Sequence, residues 1–176
     1  MAKVTISKLD AARAQMDAAI EMYFTSANSV ALHTLTMAAY NILRDIAKND
    51  GSKHPFLKTQ YLDEYPESKR AALMKFINAP ENFFKHADKD SAGTLTFDPE
   101  ITEIFLMDAC AYFRDKAVQK PKYYDALKGW LGNPKEDFSE ELKAFTQTLM
   151  DEFRAKGKTE YWKFIVTYLS LKANSK

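Results

Sequence analysis

The sequence is poor in the residues that punctuate or staple a chain. Five glycines and six prolines in 176 residues leave little room for the tight turns of an all-β protein, and argue for long helices. One cysteine, Cys110, excludes an intrachain disulfide framework and a Cys-rich zinc site. It lies in an apolar run and is expected to be a buried small hydrophobe. Three histidines, none paired with another at ligand spacing on one helix, leave no ready transition-metal set. The two-His, two-carboxylate combination of His33, His86, Asp88 and Asp90 is therefore not expected to hold a metal. Charge of either sign is also lacking in excess. A net charge of +1 gives no global field for DNA or an anionic membrane. No window is long and apolar enough to span a membrane, and "MAKVTISKLD" has no apolar signal core, so a cytoplasmic protein is expected. No phosphate-loop, nucleophile-elbow or dinucleotide pattern occurs.

What remains is apolar periodicity at helical spacing. Hydrophobic residues make up 46% of the chain, enough for a sizeable core. Leu9, Ala12, Met16, Ile20 and Phe24 mark a first helix behind Ser7 as cap. Leu32, Leu35, Ala39, Ile42, Leu43 and Ile46 stripe a second, closed by Gly51. "ESKRAALMKFINAP" starts a third, with a break expected near Asn78 because Pro80 follows, and "ENFFKHA" a short helix beyond it. "ITEIFLMDACAYFRDKAV" is apolar nearly all round (Ile101, Ile104, Phe105, Leu106, Met107, Ala109, Phe113) and is placed centrally. Three further helices follow: one between prolines; one capped at Asp137 and closed by Gly157; and an aromatic last one, with Tyr161, Trp162, Phe164 and Tyr168 read mainly as core. The expectation is a single all-α domain over 1–176, a bundle of six to eight helices with an irregular loop at about 88–97.

That loop, "DKDSAGTLTFDPE", resembles a calcium loop in Asp88, Asp90, Gly93 and Leu95. Its fifth position is Ala92 and its twelfth is Pro99, where oxygen ligands are needed. Asp98-Pro99-Glu100 reads instead as a helix start. No calcium and no cofactor are expected.

Upstream, Asn82 and His86 lie four apart, on one helical face, with Lys85 beside them. On the second helix, His33, Met37, Tyr40 and Arg44 fall within about 60° of one another, roughly opposite the main stripe. Two readings stand. In one, His33, Tyr40, Arg44, Asn82, Lys85 and His86 form a polar pocket for an anion held by Arg44 and Lys85, with His86 as donor or base. In the other, these residues are a solvated face. His54, before Pro55, is expected to be exposed.

Asn82, three residues, then His86 resembles part of the signature of HEPN-type helical domains. The resemblance implies a metal-independent, dimeric RNA-cleaving protein, with His86, Asn82 and Arg44 as catalytic candidates. Glu81 stands where that family has Arg, so Arg44 would have to supply the cation. "LHTLTMAAYNILRD" and "NFFKHAD" are also similar to uncharacterised small bacterial proteins, which implies no particular chemistry. Because each catalytic pattern is incomplete, the leading expectation is a non-catalytic interaction or regulatory protein with a protein partner or a second copy of itself. RNA recognition is the alternative.

Overall fold

A computed structural model describes residues 3–52, 54, 56–88, 90–132 and 139–174. The architecture is all-α: seven α-helices, a π-helical turn and no strand among the described residues. They are α1 (Lys8–Thr25), α2 (Ser29–Asp50), α3 (Glu67–Lys85), α4 (Ile101–Asp115), α5 (Tyr124–Leu131), α6 (Glu140–Lys156) and α7 (Lys158–Asn174). The π turn, Leu57–Tyr61, lies between α2 and α3. The loop expected at about 88–97 has neither helix nor strand at its described positions.

The termini follow from local chemistry. Ser7 Oγ accepts the Asp10 N–H at 3.0 Å and starts α1. Asn28 Oδ1 accepts from the Ala31 N–H and starts α2. Gly51 ends α2 at φ 70°, the left-handed conformation that favours glycine, and Gly157 separates α6 from α7 at φ 92°. Before α4, the Asp98 carboxylate accepts from the Glu100 N–H, so capping chemistry occupies that position. The expected Asp137 cap falls outside the described residues.

A short connection folds α2 back against α1, and α4 packs on α2 from another side. Ala12, Met16, Ile20 and Phe24 of α1 are buried as the periodicity predicts. Phe105, Leu106, Ala109, Cys110 and Phe113 put α4 in the core. Burial pushes the Cys110 thiol up to about 12. Ile104 departs from the expectation and is 54% exposed. The last helix divides: Tyr161 and Trp162 pack under α1, with Trp162 stacked on Phe24 at 5.3 Å, whereas Phe164 and Tyr168 face outward.

Two expectations are corrected here. Pro80 does not break α3; the helix runs unbroken from Glu67 to Lys85 and absorbs "ENFFK" as its last turn. The reason is tertiary: Pro80 and Glu81 are the buried residues of α3, and Glu81 is fastened by three donors. His54 is not exposed but buried, clamped by two carboxylates of α4.

Candidate functional site

The polar chemistry gathers around the π turn. Its backbone is pinned by side chains from two helices. The Asp108 carboxylate accepts from the Leu57 N–H at 2.9 Å, and the Tyr40 hydroxyl accepts from the Lys58 N–H at 3.0 Å. These pins turn the Lys58 side chain inward, where its ammonium donates to Glu81 at 2.9 Å.

Glu81 is the hub of this network. It also accepts from Lys85 Nζ at 2.7 Å, the i,i+4 partner the spacing predicts, and from Asn41 Nδ2 at 2.6 Å. Burial pushes its carboxyl up, but the Lys85 and Lys58 ammonium groups outweigh that and hold it below the usual carboxylate range. Burial, with the nearby Arg44 and Lys85 charges, lowers Lys58 despite the pull of Glu81.

The three histidines have three different fates. His54 donates through Nδ1 to Asp115 at 2.8 Å and through Nε2 to Asp108 at 3.2 Å. Burial opposes its charge, yet the two carboxylates prevail and raise its pKa. Both ring nitrogens are committed, so neither serves as a base or a metal ligand. His33 is fully buried, its Nδ1 on Thr102 Oγ1 at 2.9 Å, and its ring is edge-on to Phe84. Burial lowers its pKa to about 4, so it is neutral at physiological pH. His86 alone is exposed. It caps α3 and, with Asn82, Phe83, Asp88 and Asp90, lines an open cavity of about 570 Å³. In the loop below, the Asp90 carboxylate folds back over Gly93, so closely that a Cβ there would meet its oxygen.

The six residues grouped from the sequence do not surround one cavity. Asn82 and His86 share the cavity just described. Arg44 opens on another, lined also by Lys48, Ser52, His54, Phe56, Lys58 and Thr59. His33 and Tyr40, read as members of a mixed pocket or a solvated face, are fully buried between α2 and α4. Lys85 turns to Glu81. Between Asn82 and Lys85, Phe84 is half-buried against His33 and Phe97, and Phe83 is exposed.

Lys58, His54, Asp108 and Asp115 escaped the sequence reading. One signal was present: Asp108 interrupts the apolar run of α4, and Asp115 lies seven residues on, on the same face. A carboxylate in an otherwise buried stripe calls for a cationic partner.

A second groove beside α3 is mainly apolar. Leu73, Phe76 and Ile77 of α3 face Ile101, Ile104 and Phe105 of α4 across a groove of about 370 Å³ floored by Leu57 and Leu62. Phe76 is 67% exposed. No group of three or more His, Cys, Asp or Glu side chains arranged for a metal occurs among the described residues, and none of their helices is long and apolar enough to cross a membrane. No family model matches the chain, and neither a curated protein nor a solved structure does.

Proposed function

We propose that this chain is a non-catalytic interaction protein that pairs with a second copy of itself through α3. The observation that carries the reading is Phe76, a large apolar side chain left mostly in solvent at the middle of a nineteen-residue helix. Phe83, one heptad on and on the same ridge, is also exposed. An isologous contact needs a surface complementary to itself, and α3 has one. Laid antiparallel across a two-fold axis at Phe76, the helix sets the exposed Phe76 side chains of the two copies against each other. Each copy then closes the apolar groove of the other. The commitment of His54 and His33 to the interior supports a non-catalytic role, because neither can exchange a proton with a bound substrate.

Sedimentation analysis tests this reading. The wild type is expected to be a dimer at micromolar concentration. Phe76→Glu, which places a charge on the axis, is expected to be a folded monomer. A wild type that stays monomeric at hundreds of micromolar overturns the reading.

A second reading, HEPN-type RNA recognition, is favoured by one observation: Asn82 and His86 open together on one cavity. RNA cleavage that is lost in a folded His86→Ala variant would favour this reading over the first.

A further inference from the structure

The cavity beside the π turn is separate from the α3 ridge and has its own chemistry. It holds about 380 Å³, the size of a small-molecule site. Arg44 and Lys48 come from successive turns of α2, and Lys58 comes from the π turn. Three basic side chains thus share one space with a single lining carboxylate, Asp45. That carboxylate is in large part turned to solvent and touches one Arg44 Nη at 3.2 Å. Lys48 has no hydrogen-bond or ion-pair partner among the described residues. Lys58 is almost wholly buried and has one carboxylate partner, Glu81, for an ammonium with three donors. Phe56 and Ala47 supply an apolar wall, and Ser52 and Thr59 complete the lining. His54, behind them, is balanced by Asp108 and Asp115.

We propose that this cavity binds the phosphate group of a small phosphorylated molecule, with Arg44 and Lys48 as its principal donors and Lys58 as the charge behind them. Arg44 offers the planar fork that takes two phosphate oxygens at once; Lys48 adds a point charge one turn away. A dianion relieves the mutual repulsion of the three cations, which a neutral or cationic guest would leave in place. That repulsion is already expressed in Lys58, which the Arg44 charge helps to lower. A net charge of +1, which gives no extended basic track, favours a small molecule over a nucleic-acid backbone.

The test is an amide NMR titration of the full chain with inorganic phosphate and, separately, with a nucleoside monophosphate, against chloride at matched ionic strength. Saturable shifts confined to residues 44–59 are expected from both phosphates and not from chloride. The mononucleotide is expected to bind more tightly if the apolar wall takes its base, and equally if the phosphate alone is held. The Arg44→Gln/Lys48→Gln pair, both at the surface, should weaken affinity by about tenfold or more, as loss of charge-assisted bonds requires. Lys163→Gln on α7 should match the wild type. If the pair fails to fold, the single variants decide, each expected to weaken binding by about threefold or more. The proposal is overturned by shifts no different from those of chloride, or by undiminished affinity in the variants. Single-stranded RNA that binds the same residues more than about tenfold tighter than the mononucleotide would overturn the small-molecule assignment. Because Phe76 takes no part, Phe76→Glu should bind phosphate as the wild type does; failure of the pairing reading leaves this result intact, and the reverse.

Discussion

The two faces of α3 depart from those of the usual helix. Its inner face buries Glu81, fastened by Lys58, Lys85 and Asn41; its outer face exposes Phe76 and Phe83. Elsewhere the ordinary rule holds: α1 buries Ala12, Met16, Ile20 and Phe24. The difference teaches what holds each element. α1 is held by apolar packing, so its large side chains are used up in the core. α3 has an ion-pair anchor near one end, and of its aromatic residues only Phe84 packs inward, which leaves Phe76 and Phe83 for another surface.

That contrast can be broken most severely at the anchor. Glu81→Ala would strand the Lys58 ammonium in the interior, and urea unfolding should show a loss of about 3–5 kcal/mol. Glu81→Leu combined with Lys58→Met should recover most of it, because an apolar pair removes the burial penalty along with the attraction. Phe105→Ala, in the core of α4, should cost a similar amount, about 3–5 kcal/mol. At a concentration low enough to keep the chain monomeric, Phe76→Ala should cost less than about 0.5 kcal/mol despite removing the same side chain. Equal losses at Phe76 and Phe105 would mean that α3 is held by its outer face after all.

The buried histidines sharpen the same contrast between apolar and ionic surroundings, with opposite signs. His33 sits among rings, and its folded pKa is lowered to about 4. The stability of its neutral form is fully present above the ordinary histidine value of about 6.5, and is lost as the pH falls from there toward 4. His54 sits between carboxylates, and its folded pKa is raised. Its contribution is fully present below about 6.5 and is lost as the pH rises through that raised value. Melting temperature against pH should therefore decline on both sides. His33→Gln should flatten the acid limb and His54→Gln the alkaline one. Histidine NMR should find His54 titrating above the ordinary histidine value and His33 well below it.

Much of the fold was legible. The stripe of α1, the central place of α4, the Ser7 cap and the closing glycines Gly51 and Gly157 are local signals, and they appear where the sequence puts them, Ile104 excepted. The continuity of α3 was not legible, because Pro80 argues locally for a break and the anchor that overrides it comes from residues twenty-three and forty positions away. The second face of α2 was visible as a face but not as an interior. Its histidine and tyrosine look polar in sequence, and only contact with Thr102, Phe56 and Phe105 shows them buried. His54 escaped for the same reason: both its partners lie on α4, more than fifty residues on.

The central claim is that the outward ridge of α3 meets itself, and a distance measurement tests it most directly. Cys110 is buried in the core, so a cysteine introduced on α3 takes a spin label selectively. In an antiparallel pair centred on Phe76, labels at Ser68→Cys lie eight residues from the axis on each copy. At 1.5 Å per residue, with helices about 8–10 Å apart, their backbones are about 26 Å from each other. Labels at Ala72→Cys, half as far from the axis, should be about 15 Å apart. Two intermolecular distances in that order, both abolished by Phe76→Glu, are what the account predicts. No intermolecular coupling at either position, or a longer distance at 72 than at 68, would contradict it.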